Sequence, residues 1–366
     1  MTALYYFNPI TVTKGLLTKD AISWSKVYNL IGRAVGMNDR SGTLTQPIKQ
    51  AIYDRCRLPV LEDRAYSYEE CCDRRARELW DLSTELGKPI GILWSGGIDS
   101  TGIVVSFLRN FSLAELKSRV KIIISMESIL ENKNFYTNHI LPNFEFVNSE
   151  YLPWLFDGSM IIISGELNDQ LFGSDLISKF LLNEGPERIN STFNRDDIFS
   201  YVNMKINDEA VSNILINAVI DSSKKYGVSL EKNNDFFWWY NFCFKWQNVH
   251  FRIYALTFPR FFANVNEAWD RAYIHHFYQS DDFQMWSIHT PEVRYIDDWK
   301  NYKLKAKELI YAYDKDEDYF RNKMKRPSLY TIFTYRIVSE AVTSDFKILE
   351  TFDPLEYRNP RNSFRT

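Results

Sequence analysis

Four short apolar runs constrain this 366-residue chain most: Ile90 to Trp94 (IGILW), Val120 to Ser125 (VKIIIS), Phe144 to Val147 (FEFV) and Met160 to Ser164 (MIIIS). Each has strand length and successive apolar positions, most of them β-branched or aromatic, so both faces of each strand must be covered. Helix-length segments separate the runs. The alternation predicts an α/β fold, a doubly wound parallel sheet with helices on its faces. Ligands in such sheets bind outside the carboxyl ends of the strands. The loops after the first and fourth runs are therefore where a site is expected. Upstream, residues 67 to 86 read as a charged amphipathic helix that Gly87-Lys88-Pro89 ends before the first strand.

The loop after the first run reads Ser95-Gly96-Gly97-Ile98-Asp99-Ser100, and the apolar segment Thr101 to Phe107 continues it. Two glycines delivered by a strand let backbone N–H groups approach an anion closely. A helix opening directly after them offers unpaired N–H groups and the positive end of its dipole to a phosphate. The hydroxyls of Ser95, Ser100 and Thr101 add short donors. Read alone, the same glycines also suit a plain turn with Ser100 as a cap. There is no Gly-Lys-Ser/Thr, which excludes a Walker loop, and no G-x-G-x-x-G, which excludes the dinucleotide fingerprint. A carboxylate beside polyphosphate repels it unless a cation intervenes, so Asp99 predicts Mg²⁺, an ion that takes one or two carboxylates plus phosphate oxygens.

The loop after the fourth run is Ser164-Gly165-Glu166-Leu167-Asn168-Asp169-Gln170-Leu171-Phe172-Gly173. Parallel topology puts its two acids on the same side of the sheet as Asp99. A glycine followed by acids also caps a helix. Paired with the first loop, the expectation is that Asp99 and Asp169 grip one Mg²⁺ and that Glu166 faces the reacting end of the substrate.

Acids outnumber bases 47 to 44, which argues against a nucleic-acid surface. Cys56, Cys71, Cys72 and Cys243 have no metal-ligand spacing and no framework of bridges, so a reducing, cytoplasmic setting is expected. No apolar run reaches membrane-spanning length and no secretory signal opens the chain. Four segments are expected: an N-terminal extension over 1–66, the α/β domain with the phosphate loop over 67–184, a helical substrate or closure domain over 185–353 and a tail over 354–366. Within the helical part, Glu209 to Lys225 carries an apolar face before Gly227, and Phe236 to Trp246 (FFWWYNFCFKW) reads as a buried aromatic helix rather than a stacking platform. His250, His275, His276 and His289 lack metal-ligand spacing.

With these residues in place, SGGIDS followed by SGELNDQLFG resembles the synthetase domain of the asparagine synthetase family, a branch of the N-type (PP-loop) ATP pyrophosphatases. The second motif in that family reads approximately G-E/D-G-x-D-E-x-F-G. Gly165, Glu166, Asp169, Phe172 and Gly173 match it, whereas Leu167 and Gln170 depart. A looser match is Tyr319 to Pro327, with Lys325 as the lysine of the family's Arg/Lys-x-Lys segment, and His275 to Trp286 is similar to a segment that precedes a helix. The resemblance spans roughly residues 68 to 330.

The resemblance implies an ATP- and Mg²⁺-dependent ligase that adenylates a small-molecule carboxylate, releases pyrophosphate and forms an amide with ammonia or an amine. It gives Lys325 the phosphates and Glu166 the nitrogen nucleophile, and it implies adenine contacts at Leu93, Met126, Ser164 and Gly165, although Met126 also suits core packing. Lys325 also lies in a basic run, Lys323 to Arg326, of the kind that forms a solvated face. The extension that precedes the first helix of the sheet domain is too short for a glutaminase domain. Nitrogen is therefore expected as free ammonia, as an amine or from a separate donor subunit. Two other readings stand beside this one: a PP-loop enzyme adenylating a nucleobase or tRNA base, and a degenerate nucleotide-binding module without chemistry.

Overall fold

Three strands rich in isoleucine pair side by side under helices, and a partly exposed edge strand and a histidine-bearing one complete a sheet of five strands. They are β1 (Ile90–Leu93), β2 (Val120–Ile124), β3 (Glu145–Asn148), β4 (Ile161–Ser164) and β5 (Ile274–His276), all parallel and in the order β3-β2-β1-β4-β5. The computed structural model describes residues 23–31, 36–46, 55–149, 155–253 and 273–324. Ile92 aligns with Ile122 on one side and Ile163 on the other, and all three side chains are buried. At the sheet edge β3 carries charge, with Glu145 paired to Lys121 of β2 at 3.2 Å.

Helices α1 (Tyr68–Leu86), α2 (Ile98–Asn110), α3 (Leu113–Arg119), α4 (Met126–Glu131), α5 (Leu304–Asp314) and α6 (Glu317–Asn322) complete the unit that holds this sheet. Helix α2 is buried on nearly every side, from Ile98 through Leu108, because α1 packs on one flank and α5 on another. Its one charged end is tied down: Arg109 binds Glu69 and Asp73 of α1.

The chain divides into two compact units. The α/β unit is Tyr68–Gly165, Thr257–Phe277 and Leu304–Thr366, and the second unit is Met1–Ser67, Glu166–Leu256 and Tyr278–Lys303. The segments expected from sequence have their boundaries after residues 66, 184 and 353. The chain instead changes units at Gly165–Glu166 and returns later, because β5, α5 and α6 from the C-terminal half join the sheet. Strand β5 opens the segment His275 to Trp286: His275 and His276 pair with Ile163 and Ser164 in a parallel ladder, and a helix begins at Asp281. Three residues containing two histidines present no apolar run, so only the neighbouring strand makes them a strand.

In the second unit, Asn194 caps the helix Arg195–Ile206, Asp208 caps Glu209–Tyr226, and Gly227 closes the latter at φ +81°. The helix Asn233–Tyr240 runs through a π-turn, Asn241–Lys245, into Trp246–Phe251. Its aromatic side chains are buried against one another, with Trp238 and Phe242 ring centroids 5.2 Å apart, so the run is core. Arg294 is buried there over the Trp238 ring and bonded to Asp235 at 2.7 Å. Among the described residues no helix is long and apolar enough to cross a membrane.

Candidate functional site

Strand order reverses at the β1/β4 pair, with β2 and β3 to one side and β5 to the other. In an open parallel sheet, loops leaving the carboxyl ends at such a point part in opposite directions and leave a crevice. The two loops that leave it are Ser95–Gly97 and Gly165.

Gly96 has φ +72°. A Cβ there would lie 2.3 Å from the Ser128 carbonyl oxygen and 2.8 Å from Glu131 Cβ. Only glycine therefore fits this left-handed turn against α4. Gly97 is the N-cap of α2, with extended backbone and no side-chain capping bond. The first-turn N–H groups of a 13-residue helix thus begin at the glycine turn. They lack the hydroxyl or carboxylate that closes most helix starts.

The three hydroxyl residues divide in role. Ser95 is exposed at the mouth of the loop. Ser100 is buried and staples the loop: its Oγ accepts from Ser95 N at 3.0 Å, lies 3.1 Å from Ser95 Oγ and donates to the Gly97 carbonyl at 3.3 Å. Thr101 faces inward instead of lining the loop. It is fully buried and its Oγ1 accepts from Trp94 Nε1 at 3.2 Å, which ties the end of β1 to the first turn of α2. Tyr319 of α6 reaches the same place from the other side. Burial pushes its phenol well up, the nearby charges of Glu131 and Asp99 add to that, and the hydroxyl lies near Thr101 without a hydrogen bond of standard geometry.

Gly165 brings β4 to the same point. A Cβ on it would lie 3.2 Å from Asp99 Cβ and 3.3 Å from Ser100 N, so the chain leaving β4 runs against the first turn of α2. Just before it, buried Ser164 Oγ and His276 Nδ1 are 2.6 Å apart, which links the carboxyl ends of β4 and β5. Leu93 is half-buried at the end of β1, and Met126 opens α4, whose N-cap Ser125 forms a capping box with Ser128. Ser95, Gly96, Gly97, Asp99, Ser100, Ser164 and Gly165 are therefore gathered at one end of the sheet.

Glu166 and Asp169 belong to the second unit, so their geometry is that of their own surroundings. Both oxygens of Glu166 accept from Arg252, Oε1 from Nε at 3.0 Å and Oε2 from Nη2 at 2.5 Å. This fork occupies the carboxylate and presents it as half of an ion pair rather than as a lone base. Asp169 Oδ1 lies 2.6 Å from Nζ of Lys303, whose side chain is fully buried, and 3.2 Å from the Tyr302 hydroxyl. Asn241, placed by the π-turn, donates to the Asp169 carbonyl at 3.2 Å. Leu167 is buried with φ +76°, and Gln170 is buried with its Oε1 lacking a hydrogen-bond partner.

Lys325 lies outside the described residues. Among the described residues no three His, Cys, Asp or Glu side chains are grouped so as to hold a metal ion by themselves. Arg252, Tyr302, Lys303 and Glu131 carry no motif of their own; only the fold brings them to the residues they serve. No protein-family model matches the chain, and no curated protein sequence matches it either.

Proposed function

We propose that the protein is an ATP-dependent ligase of the N-type (PP-loop) ATP pyrophosphatase class, similar to asparagine synthetases. It adenylates a small-molecule carboxylate with release of pyrophosphate and forms an amide with ammonia or an amine. One observation carries this reading. The Gly96 turn, the uncapped start of α2 and Gly165 converge at the strand-order reversal, a backbone-built anion cradle with one carboxylate, Asp99, at its rim. Leu167 supports it, because a left-handed backbone persists where the family pattern has glycine. A residue with a Cβ adopts that conformation at a cost of about 1–2 kcal/mol.

In this scheme the amides of Gly97, Ile98 and Asp99 bind the β- and γ-phosphates, and they take up the charge that builds on departing pyrophosphate. Ser95 adds a hydroxyl at the mouth, while Ser100 holds the loop in shape. Asp99 holds Mg²⁺, which neutralises phosphate charge when bound. Leu93, Met126 and Ser164 border the crevice where the purine lies. Within its own unit Arg252 holds the Glu166 carboxylate in a two-pronged ion pair, so Glu166 offers a fixed charge rather than a proton acceptor.

The internal pairs Glu166–Arg252 and Asp169–Lys303 favour a second reading, a nucleotide-binding module without chemistry. Product analysis separates the two. Incubation with ATP, Mg²⁺, ammonia and a pool of carboxylates is expected to yield AMP and pyrophosphate in equal amounts. ADP and phosphate would contradict adenylation, and ATP binding without turnover would favour the module.

A further inference from the structure

We infer that Glu131 is a positioning residue for the Gly96 turn and that it acts as one unit with Lys323. Glu131 is the last residue of α4, and its backbone end is what the turn rests on: Ser128 O, Glu131 Cβ and Asn132 N are the three atoms nearest to the space a Gly96 Cβ would fill. The position of Glu131 therefore sets the position of Gly96.

Lys323, directly after α6, holds Glu131. Its Nζ is paired with Glu131 Oε1 and donates to the Glu131 carbonyl at 3.3 Å, so one ammonium binds both the side chain and the final carbonyl of α4. The Tyr319 ring lies 5.6 Å from that ammonium, and the side chains of Lys323 and Glu131 are only 11% and 5% exposed. Surface ion pairs contribute little, but breaking a buried one leaves an uncompensated charge and is strongly disruptive. The other oxygen, Glu131 Oε2, is buried with no hydrogen-bond partner, so Lys323 carries the compensation for this carboxylate. The end of α6 thus holds the Gly96 side of the loop through Lys323 and Glu131.

The geometric claim stands on these contacts alone; its consequence for nucleotide binding rests on the proposed function. The test is amide hydrogen exchange of the full chain without ligand, read by mass spectrometry on peptides covering residues 94–104. Glu131→Gln and Lys323→Met are each expected to raise exchange there by at least about tenfold, as loss of a buried pair loosens what it holds. Peptides from the helix Glu209–Tyr226 should not change. The double variant should exceed neither single, because the two residues form one unit. Should Glu131→Gln fail to fold, Lys323→Met and its rescue by Lys323→Arg decide the matter. Unchanged exchange over 94–104, or additive effects of the two substitutions, would overturn the inference. A parallel titration with Mg²⁺ and inorganic pyrophosphate keeps the two claims apart. If the unaltered protein binds no pyrophosphate, the polyphosphate reading fails while the exchange data still decide the role of Glu131.

Discussion

Gly96→Ala is expected to remove ATP binding and to destabilise the α/β unit. Two independent effects add. The backbone at Gly96 is left-handed, at φ +72°. Placing a residue with a Cβ there costs about 1–2 kcal/mol in backbone strain. The methyl would also be driven to within 2.3 Å of the Ser128 carbonyl, a backbone atom held by the Ser125–Ser128 capping box. Such overpacking costs about 1–3 kcal/mol. Together these give about 2–5 kcal/mol, a fall in melting temperature of roughly 3–7 °C for a chain this size. If the turn relaxes to relieve the clash, the amides of Gly97 and Ile98 turn away from their common focus, and ATP affinity should fall at least about 100-fold, since several charge-assisted hydrogen bonds are lost together. Thermal melts and calorimetric titration with ATP check both parts. An alanine variant with full affinity would show that the turn does not shape the site.

The second large effect is expected at Asp99. Asp99→Asn preserves size and leaves Gly165 its contact with the Cβ. The carboxylate's interaction with the helix N-terminus is worth about 0.5 kcal/mol, so the fold should change little beside the activity. Turnover should respond far more. Metal stabilisation of transferring phosphoryl oxygens is worth several kcal/mol, and losing about 3 kcal/mol of it corresponds to a rate loss of roughly 100-fold. The Mg²⁺ concentration needed for half-maximal rate should rise as well, which a general loss of stability would not produce. Rates of pyrophosphate release across an Mg²⁺ series, measured beside a melting curve, provide the check. An asparagine variant that kept its rate and its Mg²⁺ dependence would remove Asp99 from the metal site.

Much of the site's frame is legible in the sequence because it is built from local chemistry. The isoleucine runs state that their strands are covered on both faces, and β1, β2, β3 and β4 lie within a residue or two of them. Gly96 is legible for the same reason: only glycine reaches the left-handed turn that its two neighbours require. What escapes is assigned by partners far away in the chain. Arg252 meets Glu166 across 86 residues of sequence, and Lys303 meets Asp169 although no motif surrounds it. Strand β5 takes its conformation from β4, since His275 and His276 carry little strand preference that would mark them out. Thr101 shows the limit from the other side. Its position in the motif suggests a phosphate donor, yet the rotation around the first turn of α2 points it inward to Trp94. Spacing along a helix fixes which residues are near a ligand less well than it fixes which are near one another.

The central claim is that polyphosphate is held by the backbone at the start of α2. Titration of isotopically labelled protein with inorganic pyrophosphate and Mg²⁺, read from the amide resonances, tests it most directly. The account predicts saturable shifts concentrated on the amides of Gly96, Gly97, Ile98, Asp99 and Ser100, with smaller ones at Gly165. Saturable shifts confined to other residues, or none at millimolar pyrophosphate, would contradict it.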